Sequence, residues 1–63
     1  MNNTKKITPL GSTVNDKNET IAYGWDTDKM VYFMPNLKYN GKWNPLHKAI
    51  NEEEAECIAK AFS

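Results

Sequence analysis

The chain has 63 residues, 40% of them hydrophobic, and its eight basic and eight acidic side chains cancel at neutral pH. A domain of this length buries only about 60% of the surface its unfolded chain exposes, which leaves a core of about a dozen side chains and excludes a deep substrate pocket. The single cysteine, Cys57, excludes an internal disulfide, so packing or a partner has to supply the stability that small domains often draw from bridges or metals.

Charge is unevenly placed along the chain. Residues 1–50 carry seven lysines against Asp16, Glu19, Asp26 and Asp28, a net +3, whereas residues 51–63 carry Lys60 against Glu52, Glu53, Glu54 and Glu56, a net −3. All eight basic residues are lysine, and reading of a base edge by a two-pronged hydrogen bond favours arginine, so the composition argues against a sequence-specific DNA reader. The longest apolar run, Met30 to Pro35, is too short to cross a bilayer, and the first residues lead into no signal-type hydrophobic segment. The expectation is a cytoplasmic protein without membrane contact, organised as one domain over residues 1–63.

In chain order, residues 1–19 read as a partly flexible N-terminal segment. Within it Lys6 to Leu10 is expected to form a short edge strand, because Pro9 has no N–H for a ladder, and Gly11 to Glu19 is expected to be a polar loop. Residues 20–44 read as a β-meander. Thr20–Trp25 and Met30–Pro35 are rich in β-favouring residues and are separated by the turn-forming run Asp26-Thr27-Asp28-Lys29. Opposing Trp25 to Met30 across that turn pairs Tyr23 with Tyr32 and Ile21 with Met34 on one face, and Gly24 with Val31 and Ala22 with Phe33 on the other. Leu37 to Trp43, with Asn40-Gly41 at its middle, carries a strong short hairpin signal and extends the sheet to three or four strands. Asn44-Pro45 is expected to break the ladder and to lead into a single helical turn or an irregular connection through Ala49.

Residues 51–62 read as the one helix. Asn51 suits the N-cap, Glu54 stands three residues on as in a capping box, and three glutamates occupy the end where the helix dipole favours negative charge. Ile50 and Ala55 are placed as a hydrophobic staple. Ala55, Ile58, Ala59 and Phe62 have the spacing of one buried stripe, Glu56 and Lys60 form an i,i+4 pair on the solvent side, and Cys57 is expected beneath the Pro45–Ile50 connection. The fold class is therefore α+β, a three- or four-stranded antiparallel β-meander with one C-terminal α-helix packed on a sheet face. On topology alone this resembles the βββα modules of integrase arm-binding and plant AP2-type DNA-binding domains, and the resemblance implies a sheet face, turned away from the helix, that enters a major groove.

No residue set points to catalysis. Asp26-Thr27-Asp28 begins like a calcium loop, but the next alternate position is Met30 and the glycine position is Val31, so the motif reads as turn chemistry. His47 and Cys57 are too few for a zinc site or an activated nucleophile. The expectation is a non-enzymatic protein with no metal or cofactor. Its candidate surface is the ring set Tyr23, Trp25, Tyr32, Tyr39 and Trp43, flanked by Lys29, Lys38 and Lys42, exposed if the helix covers the Ala22/Gly24/Val31/Phe33 face. The competing reading makes that aromatic face the core, with the helix lying on it. The first function expected is binding of another protein, of the kind by which a small bacterial or phage accessory protein inhibits or modulates a host factor. The alternative is nucleic-acid binding by the sheet face and lysines, and a homodimer is the third possibility.

Overall fold

Two turns of the same construction organise the computed structural model of the chain, which describes residues 6–35 and 42–63. Asn15 and Asp26 each open a turn whose first amide donates to the carbonyl four residues on, Asn15 to Glu19 at 2.9 Å and Asp26 to Met30 at 3.1 Å. Each turn then closes from its fourth residue back to the first carbonyl, Asn18 to Asn15 and Lys29 to Asp26, both at 3.0 Å. Asn18 and Lys29 adopt the left-handed backbone this requires, with φ of 65° and 66°. The arrangement is a three-residue hairpin loop, a type I turn followed by a left-handed residue.

The side chains at the turn openings complete it. Asn15 Oδ1 accepts from the amides of Lys17 at 3.0 Å and Glu19 at 2.9 Å. Asp26 Oδ1 accepts from those of Asp28 at 2.8 Å and Met30 at 3.1 Å. Both residues are buried although polar, because these bonds replace the water they lose.

These turns join four strands, β1 (Thr8–Val14), β2 (Thr20–Trp25), β3 (Met30–Met34) and β4 (Asn44–Lys48), which lie side by side in chain order as one antiparallel sheet. Helix α1 (Glu52–Phe62) follows and packs against the sheet. The α+β meander expected from the sequence is the architecture observed; β2 has the bounds of its β-favouring run, and β3 stops at Met34, one residue short of the run's Pro35.

The hairpin register differs from the expectation by one residue. Trp25 faces Val31, Gly24 faces Tyr32, Tyr23 faces Phe33 and Ala22 faces Met34, because the loop holds three residues with Lys29 left-handed, not the four assumed between Trp25 and Met30. A slip of one residue exchanges a strand's faces relative to its neighbour. Ile21, Tyr23 and Trp25 therefore share a face with Val31 and Phe33, while Ala22 and Gly24 share one with Tyr32 and Met34.

Helix α1 covers the first of these faces. Ile21, Tyr23 and Val31 from the sheet and Ala55, Ile58 and Ala59 from the helix form the core with Ala49, and Leu10, Trp25, Phe33 and Leu46 pack around it. Small alanines on the helix let it sit close over the sheet's large side chains. The expected cover over the Ala22/Gly24 side is thus corrected: the β3 half of that expectation holds, with Val31 and Phe33 inside, and the β2 half is reversed.

Three further expectations change. The edge strand runs over Thr8–Val14, not Lys6–Leu10, with a bulge between Pro9 and Gly11, so the Gly11–Glu19 loop shrinks to the turn after Val14. Asn44–Lys48 is a strand and not a break, since Pro45 lies on the outer edge of the sheet where a missing N–H costs no neighbour a bond. The Asn40-Gly41 hairpin falls outside the described residues.

The helix begins as its sequence implies. Asn51 Oδ1 accepts from the Glu54 amide at 2.8 Å, and Glu54 Oε1 reaches back to the Ile50 amide at 2.8 Å, one residue earlier than in a standard capping box. Ile50 is 79% exposed, so the expected staple with Ala55 does not form. Phe62 is 58% exposed and meets the His47 ring edge-on with centroids 4.5 Å apart, because the stripe has run past the core by the last turn. Cys57 is exposed rather than tucked under the connection. The Glu56–Lys60 pair forms at 3.6 Å.

Candidate functional site

The sheet face turned away from α1 is the candidate site. Strand alternation places on it Ser12 and Val14 of β1, Thr20, Ala22 and Gly24 of β2, Met30, Tyr32 and Met34 of β3, and Pro45 and Lys48 of β4. Ala22, Met30, Tyr32 and Met34 are half-buried, and Val14, Pro45 and Lys48 are exposed. Among the described residues no helix or further strand lies over this face.

Gly24 is the floor of one corner and is not itself available. A β-carbon built there would collide with the Thr8 carbonyl oxygen and stand 3.0 Å from Pro9 Cα, so the start of β1 closes over it. The adjacent polar group is Tyr32, whose hydroxyl donates to Asp26 Oδ2 at 3.2 Å. The same carboxylate holds the hairpin turn with its other oxygen, so the ring of Tyr32 is tied to the turn and its orientation on the face is set.

The residues picked out by their aromatic character are divided between the two sides. Tyr23 lies in the core, 8% exposed, and is not a surface residue: the register slip carries it beneath α1. Its hydroxyl is pushed above the ordinary tyrosine value first by burial and then by the negative charges of Glu56 and Glu52 on the helix. Trp25 packs at the rim of the core on that same side, with Lys29 Nζ 4.6 Å from its ring centroid in a cation–π contact. Tyr32 alone of the hairpin aromatics belongs to the helix-free face. Trp43 is half-buried just before β4, where the alternation of that strand continued back from Pro45 sets it on the side of Tyr32 and Met34, and Lys42 beside it is exposed. Tyr39 and Lys38 lie outside the described residues.

Met30, Tyr32 and Met34 share one face, as expected from the sequence. Their neighbours differ. Ala22 and Gly24 take the places assigned to Ile21 and Tyr23, so the face is flatter and less aromatic than expected, with methionine as its main apolar component. Methionine is flexible and polarisable, which suits a surface that moulds to a partner. Lys48, opposite Met30, is the charged residue that β4 places on it, and the buried Asp26 stands at its turn end, bonded to the Tyr32 hydroxyl.

No group of three or more histidine, cysteine, aspartate or glutamate side chains among the described residues is arranged to hold a metal ion. No helix of the described residues is long and apolar enough to cross a membrane. Comparisons with known protein families, with curated proteins and with solved structures return no match.

Proposed function

We propose that this chain is a small non-enzymatic binding module whose partner is another protein, docked on the sheet face formed by Ala22, Met30, Tyr32, Met34 and Pro45. One observation carries the reading: a four-stranded sheet spends one face on its helix and keeps partly exposed methionine, tyrosine and proline side chains on the other. In a single-layered arrangement that second face is normally polar, because antiparallel strands facing water alternate apolar-in with polar-out. Apolar groups retained on it fit a surface completed by association, and Met and Tyr are residue types enriched in the centre of protein interfaces. The wider suggestion, that the module inhibits or adjusts a host factor in a bacterial or phage setting, rests on composition.

The test is capture from cell lysate on immobilised protein, with wild type compared to Met34→Lys. The reading expects one protein enriched by wild type, insensitive to nuclease, and reduced at least tenfold by Met34→Lys at an unchanged melting temperature. Capture that survives Met34→Lys would remove the face from consideration. Capture that disappears with nuclease and falls steeply with salt would favour the nucleic-acid alternative, in which the lysines contact phosphates.

A further inference from the structure

The two edges of the sheet are not equally protected. β4 is five residues long, carries Pro45, and shows a register irregularity between Met30 and Tyr32 where it meets β3. Proline, short length and irregular pairing are the features by which proteins keep sheet edges from pairing with other chains. β1 is seven residues long and has such protection only at its start, where Pro9 and the bulge before Gly11 lie. From Gly11 to Val14 it has no proline and no charge.

The outward groups of that stretch follow from the turn. Asn15 donates to the Glu19 carbonyl across the hairpin, which makes Asn15 and Glu19 a hydrogen-bonded pair. Antiparallel pairing alternates bonded and non-bonded positions, so Thr13 and Gly11 face inward to Ile21 and Tyr23, while Ser12 and Val14, opposite Ala22 and Thr20, aim their amides and carbonyls away from the sheet. Ser12 is exposed and Val14 is 49% exposed.

We infer that this edge pairs with the same edge of a second copy of the chain, antiparallel about a two-fold axis at Ser12, to give a continuous eight-stranded sheet. Ser12 then exchanges both main-chain bonds with its counterpart. The symmetric arrangement sets no like charges opposite one another between Gly11 and Val14. Beyond that stretch it brings Lys6 of each copy toward the other's Asn15–Glu19 turn, whose Asp16, Lys17 and Glu19 carry one net negative charge. Only a few residues pair, so the dimer is weak, and the helix-free face remains open for the partner proposed above.

Sedimentation equilibrium tests this over a range of about 10 μM to about 1 mM, where a small contact of this kind is half-formed. The mean mass is expected to rise from one chain toward two. Ser12→Pro removes an outward N–H without touching the bonds to β2 and is expected to hold the mass at one chain, whereas Ser12→Ala is expected to leave the rise intact. Amide exchange gives a second readout should Ser12→Pro fail to fold: in the wild type, the Ser12 and Val14 amides gain protection with concentration while Thr13 is protected throughout. A mass that stays at one chain at every concentration overturns the inference. So does a dimer that Met34→Lys abolishes while Ser12 exchange stays fast, since association would then run through the sheet face.

Discussion

Asp26 shows how much one side chain decides in so small a protein. Its carboxylate receives the Asp28 and Met30 amides on one oxygen and the Tyr32 hydroxyl on the other, so the hairpin turn and the face it leads to are held by the same group. Tyr23, two residues before Trp25, has the opposite role: it gives its ring to the core and keeps its hydroxyl near two helix glutamates. Because its folded-state value lies above the ordinary 10.0, the unfolded chain releases the tyrosine proton first as pH rises. The unfolded state then binds fewer protons than the folded one, and stability falls with pH from about 10 upward, having been fully present below it. Urea denaturation between pH 8 and pH 11 is expected to show this fall, and Tyr23→Phe is expected to reduce its slope. An unchanged slope would mean that neither burial nor the charges of Glu56 and Glu52 hold the tyrosine value up.

At the level of elements, the strands of the central hairpin and the helix with its Asn51 cap were legible, because β-favouring runs, a glutamate-rich first turn and an apolar stripe each act locally. The register was not. It depends on whether four residues or three make the loop, and that was decided by Lys29 entering a left-handed conformation that lysine seldom adopts and that its sequence does not announce. The companion turn carried a better signal, Asn15 followed by Asn18, since asparagine tolerates that conformation and can also bond to its own turn. From the one slipped residue came the reversal of β2's faces and the misplacing of Tyr23 and Trp25. The approach of β1 to β2 was equally hidden, as it rests on Gly24 meeting a strand distant in sequence. Gly24→Ala would press a methyl against the Thr8 and Pro9 backbone, which cannot move aside as a side chain can. The expected cost is about 1–3 kcal/mol, read as a lower urea midpoint. A neutral result would mean that β1 does not close over this position.

On the scale of the whole molecule, the helix is joined to the sheet by backbone bonds as well as by the core. The Asp16 amide in the first turn donates to the Lys60 carbonyl at 3.0 Å near the helix C-terminus, and the Ala49 amide before the helix donates to Lys29 in the second turn at 2.9 Å. One turn thereby supplies a partner to a helix-end carbonyl that has none within the helix. Sheet turns and helix form one structure in which the covered face is settled, and the other face is left to Ala22, Met30, Tyr32 and Met34.

Whether that face is open in the free protein and covered by a partner can be read by oxidative footprinting of its two methionines, before and after incubation with lysate. Met30 and Met34 are expected to be readily converted to sulfoxide in the free protein and to be shielded once a partner binds. Resistance in the free protein, or oxidation that lysate leaves unaltered, would contradict that expectation.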